Sequence, residues 1–292
     1  MIQLNEVGPR DGLQMEKKIL TPAERVQLIE QLIECGIRKI EVASFVNPKV
    51  VPQMAGAEEV IALLPEREDV LYSGLILSRS GFERAIQTKL QTYNLVLAVS
   101  ETFNLKNAKR TVEQSKDELI SIIHDAKASG KTVHVVLGTV FGCPYEGEVS
   151  SEKVLQLVDE FLGLGIGEIT LADTTGLANP TQVEQLVLDI FQRYGKETPL
   201  GLHFHNTRGL GLANALAGLK SGVIRFDSSI AGIGGCPFAP KAVGNICTDD
   251  FLYMLHGMGF ETGIDLEKVI ETSIALEKQL GRTLQGMVMK TV

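Results

Sequence analysis

The chain has 292 residues, of which 44% are hydrophobic, and a formal net charge of -8. Its length suffices for a sizeable core, and the acidic balance argues against a nucleic-acid partner. No apolar run approaches the roughly 18 residues of a membrane span, no secretory signal is visible, and the four cysteines show no CxxC spacing, so we expect a cytoplasmic protein with free thiols.

Apolar runs typical of strands alternate with longer stretches of helical periodicity. The predicted strands cover 4–8, 39–44, 71–77, 92–98, 132–138, 168–173, 200–205 and 225–230. The predicted helices cover 21–36, about 48–64, about 79–90, about 111–129, about 151–163, a stretch beginning at Asn179 and Pro180, and about 209–220. Eight strands, each followed by a helix, predict an α/β fold of the (β/α)₈ barrel type, with a doubly wound sheet as the alternative. We expect one catalytic domain over 1–292, with extra helices outside the barrel from about 248.

The chemistry of such barrels lies at the carboxyl ends of the strands. The seventh predicted strand ends with His203 and His205, whose side chains point the same way because they are two residues apart. Two imidazoles so placed can share a divalent ion. For the pair alone, two hydrogen-bonded core histidines are an equally good interpretation. Their position at the rim, and the fact that the chain has only five histidines, favour the metal.

The first predicted strand ends in a turn that should present two charged side chains at the same rim. Gly8, Pro9 and Gly12 make this turn rigid. Asp11 can complete a set of two histidines and one carboxylate around an ion, and Arg10 offers a permanent cation to a developing oxyanion. Taken alone, Arg10 and Asp11 would be interpreted as a surface ion pair; beside the histidines they predict a site.

Three further residues are candidates for the same site. Glu41 should point into the barrel, where a buried carboxylate needs a partner such as Arg10. Cys236 lies between a glycine and a proline after the eighth strand, which is typical of a mobile loop that carries a thiol acid or base, although an incidental small residue is the alternative. Asn245 could reach the metal through its amide oxygen.

Four segments together resemble the 3-hydroxy-3-methylglutaryl-CoA (HMG-CoA) lyase family. They are EVGPRDGLQ (6–14), FGCPYEGEVS (141–150), HFHNTRGLGLANAL (203–216) and GIGGCPFAPKAVGN (232–245). The resemblance implies a metal-dependent carbon–carbon lyase on a (β/α)₈ barrel. Such an enzyme cleaves a 3-hydroxyacyl-CoA, foremost HMG-CoA to acetyl-CoA and acetoacetate.

The resemblance also implies roles for individual residues. The implied ligands of a Mg²⁺ or Mn²⁺ ion are Asp11, His203, His205 and Asn245. The catalytic candidates are Arg10, Glu41 and Cys236, with His203 counted here as well. The substrate-binding candidates are Gln14, Asn107, His134, Thr170, Asp173 and Arg208. The expected partner is an acyl-CoA substrate, with further copies of the chain as an open option.

The chain departs from the family pattern at positions of the pocket wall. The family carries Arg-x-Tyr where this chain has His134 and Val136, serine where it has Thr170, and Asp-Thr-Tyr-Gly where it has 206–209. These changes predict the same chemistry on a different acyl group, such as (R)-citramalyl-CoA, which gives acetyl-CoA and pyruvate. We expect Arg208 to supply the missing cation and to contact the acyl carboxylate.

Two other classes of function remain as alternatives. A condensing acyltransferase of the isopropylmalate synthase type would use the same metal site, but such enzymes generally have a long C-terminal extension. The GGCP loop also favours cleavage. A non-catalytic protein that binds CoA or a metal is the other alternative, which a complete ligand set disfavours.

Overall fold

Eight parallel strands close into a barrel in a computed structural model that describes residues 1–235 and 244–292. The strands are β1 Gln3–Glu6, β2 Lys39–Ser44, β3 Leu71–Ile76, β4 Thr92–Ala98, β5 Thr132–Gly138, β6 Glu168–Asp173, β7 Leu200–Phe204 and β8 Arg225–Ser228. Each strand pairs with the next, and β8 pairs with β1. The predicted (β/α)₈ barrel is therefore confirmed, because a doubly wound sheet would keep two open edges.

Ten α-helices accompany the strands in the described part of the chain. They are α1 Pro22–Glu34, α2 Ala57–Leu63, α3 Arg79–Ala85, α4 Glu101–Ala108, α5 Val112–Ala128, α6 Ser151–Gly163, α7 Pro180–Tyr194, α8 Gly211–Lys220, α9 Thr248–Gly257 and α10 Leu266–Leu280. A capping box begins α1: the Thr21 side chain accepts from the backbone N–H of Glu24, and the Glu24 carboxylate accepts from the backbone N–H of Thr21.

The second predicted helix is longer than the one that forms, and one further helix was not predicted. The stretch 48–64 was expected to be one helix, but residues 52–54 make only a short 3₁₀ turn. Gly56 then adopts a left-handed conformation with φ 72°, which interrupts a right-handed helix, so that α2 begins at Ala57. The sequence reasoning also missed α4, whose first turn is capped by the Ser100 hydroxyl accepting from the Phe103 N–H at 3.1 Å.

The two C-terminal helices, α9 and α10, differ in their relation to the barrel. The first, α9, follows β8 in the order of elements and so takes the place of the eighth barrel helix. The second, α10, packs against α1 and α9 and is additional to the eight βα units. Within the described residues, we find no helix with the length and apolar character that crossing a bilayer requires.

The alternation of side chains along the strands separates the core from the interior of the barrel. On β2, Ile40 and Val42 are fully buried members of the aliphatic core. Lys39 and Glu41 point the other way and line a cavity inside the barrel. The aliphatic core therefore lies between the strands and the surrounding helices, whereas much of the barrel interior is polar.

Candidate active site

A cavity of about 550 Å³ opens at the carboxyl ends of the strands and extends down into the barrel. It brings together most of the residues that the sequence predicted for the site. The predicted residues that line it are Arg10, Asp11, Gln14, Glu41, Asn107, His134, Thr170, His203 and His205. Asn107 reaches it from α4, the helix that the sequence reasoning missed.

Three buried side chains at this cavity form a candidate metal site. One ligand atom from each of Asp11, His203 and His205 lies within 4.8 Å of the others. Asn245 pairs with His205 through an antiparallel backbone bridge and donates its amide N–H to Asp11 Oδ2 at 2.7 Å. Its amide oxygen is buried and has no hydrogen-bond partner among the described residues. Two imidazoles, a carboxylate and an unpartnered amide oxygen fit a divalent cation.

The turn after β1 presents Arg10 and Asp11 to the cavity. Residues Gly8–Gly12 form a single π-helical turn, in which three successive backbone N–H groups donate to the carbonyl of Val7 at 2.7–3.2 Å. A Cβ on Gly12 would lie 2.5 Å from the Ile233 side chain. Glycine is therefore needed here for close packing, which holds the turn against the chain that follows β8.

Arg10 is held between two carboxylates. Its Nη1 donates to Asp11 Oδ1 at 2.5 Å, and its Nε and Nη2 contact Glu41 Oε2. Glu41 also accepts from Asn94 Nδ2 at 2.7 Å. The predicted contact between Glu41 and Arg10 is thus present. Together these contacts fix the plane of the guanidinium group.

The electrostatic environment keeps Asp11 ionised. Burial by itself would raise the pKa of this carboxyl, but the charges of Arg10, His203 and His205 outweigh it and hold the pKa at about 2. Burial raises the pKa of Glu41, although Arg10 opposes the shift. Asp11 is therefore the carboxylate better suited to bind a cation at neutral pH.

Asp227 belongs to this site, although the sequence reasoning did not single it out. Its Oδ2 lies 3.0 Å from His203 Nδ1, and its Oδ1 accepts from Asn5 Nδ2 at 2.8 Å. Burial would lower the pKa of His203, but Asp227 outweighs burial and raises it. A carboxylate on Nδ1 leaves Nε2 available for an ion. The only signal in the sequence was the alternation of β8, which predicts that Asp227 points inward.

Asp173 and Arg208 are predicted substrate contacts that do not line the cavity. The buried Asp173 carboxylate accepts two backbone N–H groups of the turn that follows it, at 2.8 and 3.0 Å, and burial raises its pKa to about 6. Arg208 is exposed and donates to the carbonyls of Thr175 and Gly176 at 3.1 and 2.8 Å. Its position gives no support to the predicted contact with the acyl carboxylate.

Cys236, the predicted catalytic thiol, lies outside the described residues. Gly235 immediately before it lines the cavity. The expected position of the thiol over the site stays a prediction.

Comparison with known proteins identifies the family. The model of the HMGL-like family matches residues 1–275. The chain belongs to the HMGL-like family of lyases. The resemblance seen in the sequence and the predicted lyase class are both confirmed.

Several relatives match almost the whole chain. It is 43% identical to the (R)-citramalyl-CoA lyase of Chloroflexus aurantiacus, over 99% of this chain and 94% of the relative. It is 40% identical to the hydroxymethylglutaryl-CoA lyase of Pseudomonas mevalonii, over 96% and 93%. A solved HMG-CoA lyase of Acinetobacter baumannii, in complex with coenzyme A and 3-methylmalate, superposes with a TM-score of 0.95 at 42% identity, covering 99% of this chain and 94% of the other.

Proposed function

We propose that this protein cleaves the C2–C3 bond of a 3-hydroxyacyl-CoA, with HMG-CoA giving acetyl-CoA and acetoacetate. One observation carries the proposal: the cluster of Asp11, His203 and His205 lies beside the Arg10–Glu41 pair at a single cavity. This arrangement offers a cation site and a fixed guanidinium group to the same substrate.

We propose that Asp11, His203, His205 and Asn245 hold a divalent cation, Mg²⁺ or Mn²⁺. The carboxylate and amide oxygens suit these hard ions, and the imidazoles are compatible with Mn²⁺. When bound, the ion would polarise substrate oxygens and lower the pKa of the substrate hydroxyl.

The residues around the ion site have distinct roles in the proposed reaction. Arg10 stabilises the negative charge that builds on the thioester oxygen as the C2–C3 bond breaks. Glu41 acts through Arg10 by holding its guanidinium group in place. Gln14 donates to Asp11 Oδ1 at 3.3 Å and helps to orient that carboxylate. The C3 hydroxyl gives up its proton to a base as it becomes a carbonyl, and we assign to Cys236, from its sequence context, the donation of a proton to C2.

(R)-Citramalyl-CoA is the second candidate substrate, with acetyl-CoA and pyruvate as products. The first support is the 43% identity to a relative of that name. The second is that His134, Val136 and Thr170, where the chain departs from the family pattern, all line the cavity.

The remaining proposals concern the substrate contacts and the setting of the reaction. We keep Asn107, His134 and Thr170 as contacts of the acyl-CoA, while Asp173 and Arg208 stay predictions without support from their positions. We also propose a cytoplasmic location, because the spacing of the cysteines is typical of free thiols. Assembly with further copies of the chain is a further option.

A coupled assay of acetyl-CoA release tests the function. The wild type should cleave HMG-CoA or (R)-citramalyl-CoA, lose this activity in excess EDTA, and regain it with Mg²⁺ or Mn²⁺. Arg10→Gln should lower kcat by roughly 10²- to 10³-fold, as expected for a lost oxyanion donor. Arg193→Gln, on the exposed face of α7, is the matched control. Cleavage of neither thioester, or full activity in EDTA, would overturn the proposal.

A further inference from the structure

The inner end of the cavity carries a buried ion pair where barrels of this kind usually hold bulky aliphatic side chains. Lys39 and Glu168 are the first residues of β2 and β6, and both line the cavity. Lys39 Nζ lies 2.7 Å from each carboxylate oxygen of Glu168. The Lys39 side chain keeps 15% exposure, so it remains accessible from the cavity.

This pair lies at the amino ends of its strands, below the candidate metal site. The two levels are close, because the backbone register runs from Lys39 through Asn5 and Asp227 to His203. Thr170 and His134 line the wall between these two levels. The cavity therefore continues past the metal site towards the ion pair.

The inner end of the cavity offers an added anion one cation and a neutral hydrogen-bond donor. Arg225 Nε lies 3.6 Å from Glu168 Oε2, so Lys39 shares this carboxylate with a second cation. The imidazole of His134 is neutral, because burial and then the charge of Lys39 lower its pKa to about 4. A neutral imidazole still offers one N–H donor.

The other carboxylate that faces this region already has partners. Asp227 is bonded to His203 and to Asn5. Lys39 donates two of its three N–H groups to Glu168, and the third is left for a ligand. An incoming carboxylate would thus meet Lys39 and His134 as donors.

The direction in which a thioester enters follows from its size, if the proposed function is right. The CoA part is far larger than an acyl group and carries phosphates, so it must stay at the solvent-facing mouth. The acyl end then points inward, past the metal site and towards Lys39.

We propose that Lys39, supported by Glu168, Thr170 and His134, forms a subsite that binds a carboxylate at the end of the acyl group and thereby determines which acyl-CoA thioesters the enzyme accepts. The cation that selects the acyl end then comes from the start of β2, on the inner side of the cavity. Arg208, which the sequence suggested for this role, does not line the cavity.

The test compares two thioesters that lack the 3-hydroxyl group and cannot be cleaved. Glutaryl-CoA ends in a carboxylate, and butyryl-CoA ends in a methyl group. Calorimetry should show that the wild type binds glutaryl-CoA more tightly, and that Lys39→Met weakens glutaryl-CoA binding roughly tenfold to a hundredfold while butyryl-CoA binding is unchanged. Lys39→Arg should keep part of the preference. Lys196→Met, at an exposed position after α7, is the control.

Lys39→Met leaves Glu168 buried without its partner, which destabilises the fold. The double variant Lys39→Met with Glu168→Gln removes that charge and should show the same loss of preference. Equal binding of both thioesters by the wild type, or equal weakening of both in the double variant, would overturn the subsite. Because neither thioester reacts, the result is independent of the cleavage assay that tests the proposed function.

Discussion

The charged side chains around the candidate metal site are buried and held in pairs. Arg10 contacts both Asp11 and Glu41, and His203 contacts Asp227. A buried charge that loses its partner is costly, so each pair fixes the position of both members. The geometry of the candidate ligands therefore depends on neighbouring charged residues that are not among them.

Asp227→Asn should lower the affinity for the divalent ion roughly 10- to 100-fold, because the amide no longer fixes His203 as the carboxylate does. The substitution keeps the shape of the side chain, so the fold should be retained. Binding of Mn²⁺ to protein freed of metal, measured by calorimetry, checks this without an activity assay. Asp117→Asn, exposed on α5, is the control. A lower melting temperature with unchanged Mn²⁺ affinity would mean that Asp227 is only structural.

At the scale of elements, close contacts between helix and strand set the position of β7. The helix α8 lies against this strand, and Gly218 on α8 packs directly on Leu202. A Cβ on Gly218 would lie 2.2 Å from Leu202 Cδ1. Leu202 is fully buried, so its side chain can shift only by displacing its neighbours in the core. Because His203 is the next residue along β7, this packing also helps to position a side chain of the candidate metal site.

Gly218→Ala should lower the free energy of unfolding by about 1–3 kcal/mol through overpacking. The matched control is Gly163→Ala at the end of α6, where an added Cβ meets no described atom within 4 Å. That change should raise stability by about 0.5 kcal/mol, because it removes the backbone freedom of glycine. Urea denaturation of both variants measures the difference. Equal effects at the two positions would contradict the packing argument.

At the scale of the whole molecule, the buried carboxyl group of Glu6 connects the first strand of the barrel with the chain that follows the last strand. Glu6 at the end of β1 accepts from the Gly8 and Ile230 N–H groups at 2.8 Å each and from the Thr248 hydroxyl at 2.6 Å. These contacts link the first strand to the turn after β8 and to α9. Burial raises the pKa of Glu6 to about 7, although the three hydrogen bonds oppose it.

The raised pKa of Glu6 predicts that stability falls as the pH rises. The folded state holds the proton up to about pH 7, whereas an unfolded glutamate releases it near pH 4.5. The contribution of Glu6 to the free energy of unfolding should therefore decrease between pH 4.5 and 7, by up to about 3 kcal/mol. Asp173 and Asp249, with pKa values raised to about 6, act in the same direction, whereas His134, with a pKa lowered from 6.5 to about 4, acts in the opposite one.

Glu6→Gln should reduce this dependence on pH without abolishing it. Denaturation by urea at pH 5 and pH 7.5, for wild type and variant, measures the change. Glu113→Gln, exposed on α5, should behave as the wild type. The same slope in wild type and Glu6→Gln would show that Glu6 does not titrate in this range.

Local patterns in the sequence were enough to predict a (β/α)₈ barrel and the three side chains at the centre of the candidate metal site. Strand alternation, helix caps and the spacing of His203 and His205 are local properties, which neighbouring residues along the chain express before any tertiary contact forms. The turn that carries Asp11 is equally local. The sequence could therefore place all three side chains at the same rim.

Which inward-facing side chains meet depends on contacts between distant parts of the chain. Asp227 lies against His203 because of the register between β7 and β8, and Lys39 meets Glu168 across the barrel from a position 129 residues away in the chain. The same long-range packing directs Arg208 to the backbone of the 175–176 turn instead of the cavity. Register and barrel closure depend on all eight strands at once, so no local pattern in the sequence specifies these contacts.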